Sequence, residues 1–90
     1  MTHRLDVHAQ GRTVVFELHG VVNEEAVASL RVALEFARES GASARIVLRA
    51  GAEVERSSLV ALRALRAELL AESPYLAAWL NAPSKEGNTR

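Results

Sequence analysis

The chain has 90 residues, 49% of them hydrophobic, with 11 Lys+Arg against 11 Asp+Glu and no cysteine. A chain this short makes one small domain that buries about 60–65% of its unfolded surface, and half-hydrophobic content excludes an unfolded one. Zero formal charge excludes the basic footprint of a nucleic-acid binder, and no apolar run approaches the roughly 20 residues of a bilayer span.

The N-terminus, Met1-Thr2-His3-Arg4-Leu5-Asp6, lacks the apolar segment of a signal peptide, and Thr2 stands where myristoylation needs glycine. With the lack of cysteine, which fits a reducing compartment, this points to a soluble, cytoplasmic protein. Arg4 to His8 then alternates, Leu5 and Val7 against Asp6 and His8, and Thr13 to Leu18 alternates with Val14, Phe16 and Leu18 on one face. A two-residue turn at Gln10-Gly11 joins them into a hairpin. It pairs Val7 with Val14, Leu5 with Phe16 and Arg4 with Glu17.

Gly20 ends the second strand, and Asn23 caps a helix that opens with Glu24 and Glu25, acids suited to the positive dipole end. The helix runs to about Ser40 and stops at Gly41. At about 100° per residue, Val27, Leu30, Leu34 and Ala37 share a face with Ala26 and Ala33, whereas Val32 and Phe36 point nearly the opposite way. A short connection leads to a strand at Arg45–Leu48, rich in β-branched residues. After an irregular segment, Arg49 to Arg56, leucines at 59, 62, 65 and 69 define a second helix over roughly Ser58 to Ala71, broken by Glu72-Ser73-Pro74. Tyr75 to Leu80 admits a helix capped by Ser73-Pro74 or a strand. The strand is preferred, since six apolar residues between Pro74 and Asn81-Ala82-Pro83 make a short helix. The expected core is Val14, Phe16, Leu30, Leu34, Ile46, Leu48, Leu62 and Leu65.

The resulting order, β-β-α-β-α-β, defines an α/β (α+β) fold with a mixed four-stranded sheet. Strands joined by helices run parallel, the first strand is antiparallel at one edge, and right-handed crossovers place both helices on one face. This order resembles the STAS domain family, which includes bacterial anti-sigma-factor antagonists. The resemblance rests on Leu18-His19-Gly20 at the end of the second strand, the helix after it, and Ile46-Val47-Leu48 followed by Ser57-Ser58-Leu59-Val60-Ala61-Leu62. It covers roughly Val14 to Pro83 and implies a single STAS-like domain over residues 1–82; the polar composition of 83–90 reads as a disordered tail. Family members usually carry Asp-Ser-Ser-Gly where this chain has Arg56-Ser57-Ser58-Leu59, and often an acid where it has Arg49. Most also continue into a C-terminal helix, for which no residues are expected here.

In the antagonists of that family a kinase-like anti-sigma factor phosphorylates the first serine, which by position is Ser57, with Ser58 beside it. A phosphate there would meet free N–H groups and the positive dipole end, and Arg49 and Arg56 could add charge-assisted contacts. The plain alternative is that Ser57 or Ser58 caps the helix, contributing about 1 kcal/mol.

Other chemistry has little support in the residues. His3, His8 and His19 do not converge in this register, so no metal site is expected. The glycines are scattered rather than gathered into a phosphate loop, so no cofactor is expected, and no histidine neighbours the serines in sequence. An enzyme is therefore not expected. Two surfaces read as partner-binding: Val32 with Phe36, and a small-residue stripe of Val60, Ala64, Ala67 and Ala71. Trp79, among apolar neighbours, reads as core or interface. The expected function is a non-enzymatic protein–protein interaction domain acting in partner switching or as a regulatory adaptor. Its partners would be a kinase-like anti-sigma factor or a second copy in a homodimer. The alternative is a small structural subunit that self-associates or docks in an assembly without phosphorylation.

Overall fold

A computed structural model describes residues 3–81. Two antiparallel strands, β1 (His3–Gln10) and β2 (Thr13–Val22), open the chain. The turn between them sits at Gly11-Arg12, one residue later than expected, and the register moves by two. Leu5 pairs with Leu18, Val7 with Phe16 and Arg4 with His19. The reason is local. The tight hairpin turns place positive φ at their first central residue, and Gly11, at φ +62°, supplies it where Gln10 would be strained. Because the shift is two, no side chain changes face.

Helix α1 (Glu24–Glu39) begins where Asn23 Oδ1 accepts the Ala26 N–H at 3.0 Å. It ends in a Schellman pair, with the Gly41 N–H donating to the Arg38 carbonyl and the Ala42 N–H to that of Ala37. Ala26, Val27, Leu30, Leu34 and Ala37 are buried as the periodicity indicates. Strand β3 (Ser43–Leu48) then pairs parallel with β2, Phe16 against Ile46 and Leu18 against Leu48. A two-residue strand, β4 (Glu53–Val54), pairs with the far end of β2 at Val21 and Val22, so β2 runs on past Gly20.

The second half departs from the expected boundaries. Helix α2 spans only Arg56–Arg63, and Glu68–Ala71, expected as its last turn, forms strand β5. The chain leaves the helix through Arg66, whose φ of 62° no helix continues, and Arg38 donates to the Leu65 carbonyl at this corner. Strand β5 docks parallel on β3, pairing Leu69 with Ile46 and Ala71 with Leu48. The exposed backbone edge of β3 needs those partners more than the helix needs two further turns. The segment expected as the last strand is instead helix α3 (Pro74–Asn81). Pro74 occupies the first helical position, where its missing N–H costs nothing, and the Ser73 carbonyl accepts the Ala77 N–H. A C-terminal helix, not expected from the sequence, is therefore present.

The fold class stands: an α+β domain on a mixed sheet ordered β1-β2-β3-β5, with β4 beside β2. The principal elements follow β-β-α-β-α-β, and α3 adds a third helix. One core unites Phe16, Leu18, Leu30, Leu34, Ile46, Leu48, Leu62 and Leu65 with Leu76 of α3, so the helices share one face of the sheet; Val14 is only partly buried. The tail expected at 83–90 lies outside the described residues. No helix of the described residues is long and apolar enough to cross a membrane.

Candidate functional site

The serine pair enters α2 differently from a cap. Glu55 holds the N-cap position with extended backbone, and its side chain makes no capping bond. The pairing of β4 with β2 sets this start, since the Glu55 N–H donates to the Val22 carbonyl at 3.2 Å and the Glu55 carbonyl accepts the Leu59 N–H at 2.9 Å. Ser57 and Ser58 therefore lie inside the first turn, and neither caps the helix. They also diverge. Ser58 is 1% exposed, and its Oγ has no hydrogen-bond partner. Ser57 is exposed; both serines border a groove of about 330 Å³ between α2 and α1, lined also by Glu24, Val27, Ala28, Arg31 and Ala61, but only Ser57 opens to solvent.

The two arginines expected near a phosphate are engaged elsewhere. Arg56 carries its guanidinium 5.4 Å from the centre of the Trp79 ring, a cation–π contact with α3, and Tyr75 lies 6.4 Å from Trp79. Arg49 sits on the sheet face opposite the helices. Its Nη1 donates to Glu17 Oε1 at 2.8 Å and its Nε to Glu72 Oε1 at 2.9 Å. The Ala50 N–H donates to the same Glu72 oxygen at 2.8 Å. That amide first, and then Arg49, hold the Glu72 carboxyl below its ordinary range, while Glu72 first, and then Glu17, raise Arg49.

The open face carries more charge than the sequence suggested. Because Asp6 pairs with Glu17 in the actual register, two of the three histidines, His8 and His19, approach Glu17. His19 Nε2 lies 3.2 Å from Asp6 and 3.9 Å from Glu17, and His8 Nδ1 lies 3.8 Å from Glu17. Donor atoms of Asp6, Glu17 and His19 fall within 4.8 Å of one another. Arg4, 3.0 Å from Asp6, and Arg49 already neutralise both carboxylates, so the cluster is an internal ion-pair network with little charge left for a cation. The turn at Gly11-Arg12, two residues of register from the one expected, is what brings it together.

Of the two apolar surfaces, Val32 and Phe36 stand out from α1 at 67% and 74% exposure. The small-residue stripe is broken. Val60 is 65% exposed and Ala64 is the exposed C-cap of α2, but Ala67 follows the helix and Ala71 belongs to β5. No protein-family model matches this chain, and no curated protein matches it.

Proposed function

We propose that this chain is a non-enzymatic, cytoplasmic protein-interaction domain of the STAS type, in which phosphorylation of Ser57 by a kinase-like anti-sigma factor switches partner binding. The observation that carries this reading is the division of the serine pair: Ser57 is open in the first turn of α2, while Ser58 is buried beneath it. The first-turn N–H groups of α2 have no helical carbonyl partners and favour an anion. A phosphoryl group on Ser57 would add about −1.5 to −2 charge to a groove holding one guanidinium, Arg31, and one carboxylate, Glu24. It would draw the first and repel the second, changing the surface that a partner meets. Helix α3 removes one departure from the family pattern and so adds support.

A non-enzymatic role fits this surroundings. No histidine lines the groove, and His8 and His19 lie on the opposite face of the sheet with Glu17, so a hydroxyl–imidazole pair with Ser57 is not formed. The test is phosphopeptide mapping after incubation with ATP and a kinase-like anti-sigma factor from the same genome. Modification should fall on Ser57, vanish in Ser57→Ala and persist in Ser58→Ala. Modification confined to Ser58, or none with any such kinase, would remove the basis of this reading.

A further inference from the structure

We infer that the outer edge of β1 is a self-pairing site, through which two copies of this chain join their sheets antiparallel about a two-fold axis at Val7. The edge is long and unguarded. Strand β1 has eight residues, ends the sheet order and, among the described residues, has no strand on its outer side. Exposed edges are ordinarily blunted by lysine, proline, a bulge or an inward charge. Here the sequence His3-Arg4-Leu5-Asp6-Val7-His8-Ala9-Gln10 contains neither Lys nor Pro. The register with β2 is unbroken, and Arg4 and Asp6 lie on the open face, away from the helices. The opposite edge differs: β5 is four residues long and α3 packs against it.

The backbone is set for this pairing. In a two-residue hairpin the closing pair, Gln10 and Thr13, exchanges both hydrogen bonds, and bonded pairs then alternate along the ladder. Arg4, Asp6, His8 and Gln10 therefore turn their N–H and C=O groups toward β2. Leu5, Val7 and Ala9 turn theirs outward. A two-fold at Val7 matches outward residues only: Val7 with its own copy, and Leu5 with Ala9 of the second copy, roughly six main-chain hydrogen bonds in all.

The side chains favour a second copy as the occupant. On the open face the same two-fold sets Asp6 opposite His8 of the other copy, and His8 opposite its Asp6, so a carboxylate faces an imidazole N–H donor at both places. On the helix face, Val7 is 54% exposed and borders a groove of about 380 Å³ with Val14, Phe16, Ala33 and Phe36. A two-fold perpendicular to the sheet keeps both helix layers on one side and turns the two Phe36 rings toward the axis, covering Val7. Centring the axis on Leu5 instead would press Val7 against His3. The chain's own residues 83–90, Pro-Ser-Lys-Glu-Gly-Asn-Thr-Arg, offer no large apolar residue to fill the groove.

Sedimentation velocity across the micromolar range, with amide hydrogen exchange at the same concentrations, tests the site. A monomer–dimer equilibrium is expected, with the Leu5, Val7 and Ala9 amides becoming protected as dimer accumulates while the Asp6 and His8 amides stay protected throughout. Val7→Pro removes one outward N–H and leaves the β2 ladder intact, and should weaken dimerisation at least about ten-fold with thermal unfolding unchanged at concentrations where wild type is monomeric. Phe36→Asp should weaken it as well, and Ser57→Ala should not, which separates this surface from the phosphorylation reading. A monomer at all concentrations, or a dimer in which the three outward amides gain no protection, would overturn the inference without recourse to any variant.

Discussion

Replacing Ser58 by alanine tests the architecture of α2 by the sign of its effect. Were Ser58 the helix cap, Ser58→Ala would cost about 0.5–2 kcal/mol. In the structure its hydroxyl is buried and bonded to nothing, and a buried hydroxyl without a partner costs about 1–3 kcal/mol. The void left by one oxygen returns about a few tenths of a kcal/mol at most, at roughly 24 cal/mol per Å³. Alanine also has the higher helix propensity, by about 0.5 kcal/mol. The net expectation is a gain of about 1–3 kcal/mol, which in a domain of this size raises Tm by about 4–24 °C. Urea titration and thermal melts followed by circular dichroism, on wild type and Ser58→Ala side by side, measure it. A lower midpoint for the variant would show that the hydroxyl is bonded in solution and that the account of the first turn of α2 is wrong.

Two further outcomes follow from the packing and the charges. Leu62, fully buried in the common core, should lose about 2–5 kcal/mol on Leu62→Ala, enough to leave a domain this small largely unfolded; a denaturation midpoint equal to wild type would mean that α2 is turned about its axis. Glu72, its carboxyl lowered by the Ala50 amide and then by Arg49, stabilises the fold above the ordinary carboxylate range near about pH 4.3, and that contribution is lost as pH falls through the depressed value. Glu72→Gln should therefore lie below wild type in Tm at neutral pH and converge with it in acid; a constant offset at all pH values would assign Glu72 a role independent of charge.

Residues 3–48 were legible because short-range patterns carry them. Alternation placed both hairpin strands, Asn23 and Gly41 marked the ends of α1, and Ile46 and Leu48 announced a buried strand. The end of β2 and the hairpin register are the exceptions: β2 continues past Gly20 to Val22, and Gly11 takes the first rather than the second turn position, a shift of two that brings Asp6 opposite Glu17 beside His8 and His19. Beyond Arg56 local pattern was ambiguous. Leucines at 59, 62, 65 and 69 fit a helical period, yet Leu69 and Ala71 fit a strand equally well, facing the core from β5. Their fate depended on the vacant edge of β3, which exists only once β2 and β3 have paired. With Glu68–Ala71 taken into the sheet, the next apolar run was free to close over the core as α3, with Leu76 inward and Trp79 over Arg56. Which serine faces water was decided at the same level. The pairing of β4 with Val21 and Val22 fixes where α2 begins, and one residue along a helix turns a side chain by about 100°, enough to bury Ser58 and leave Ser57 open.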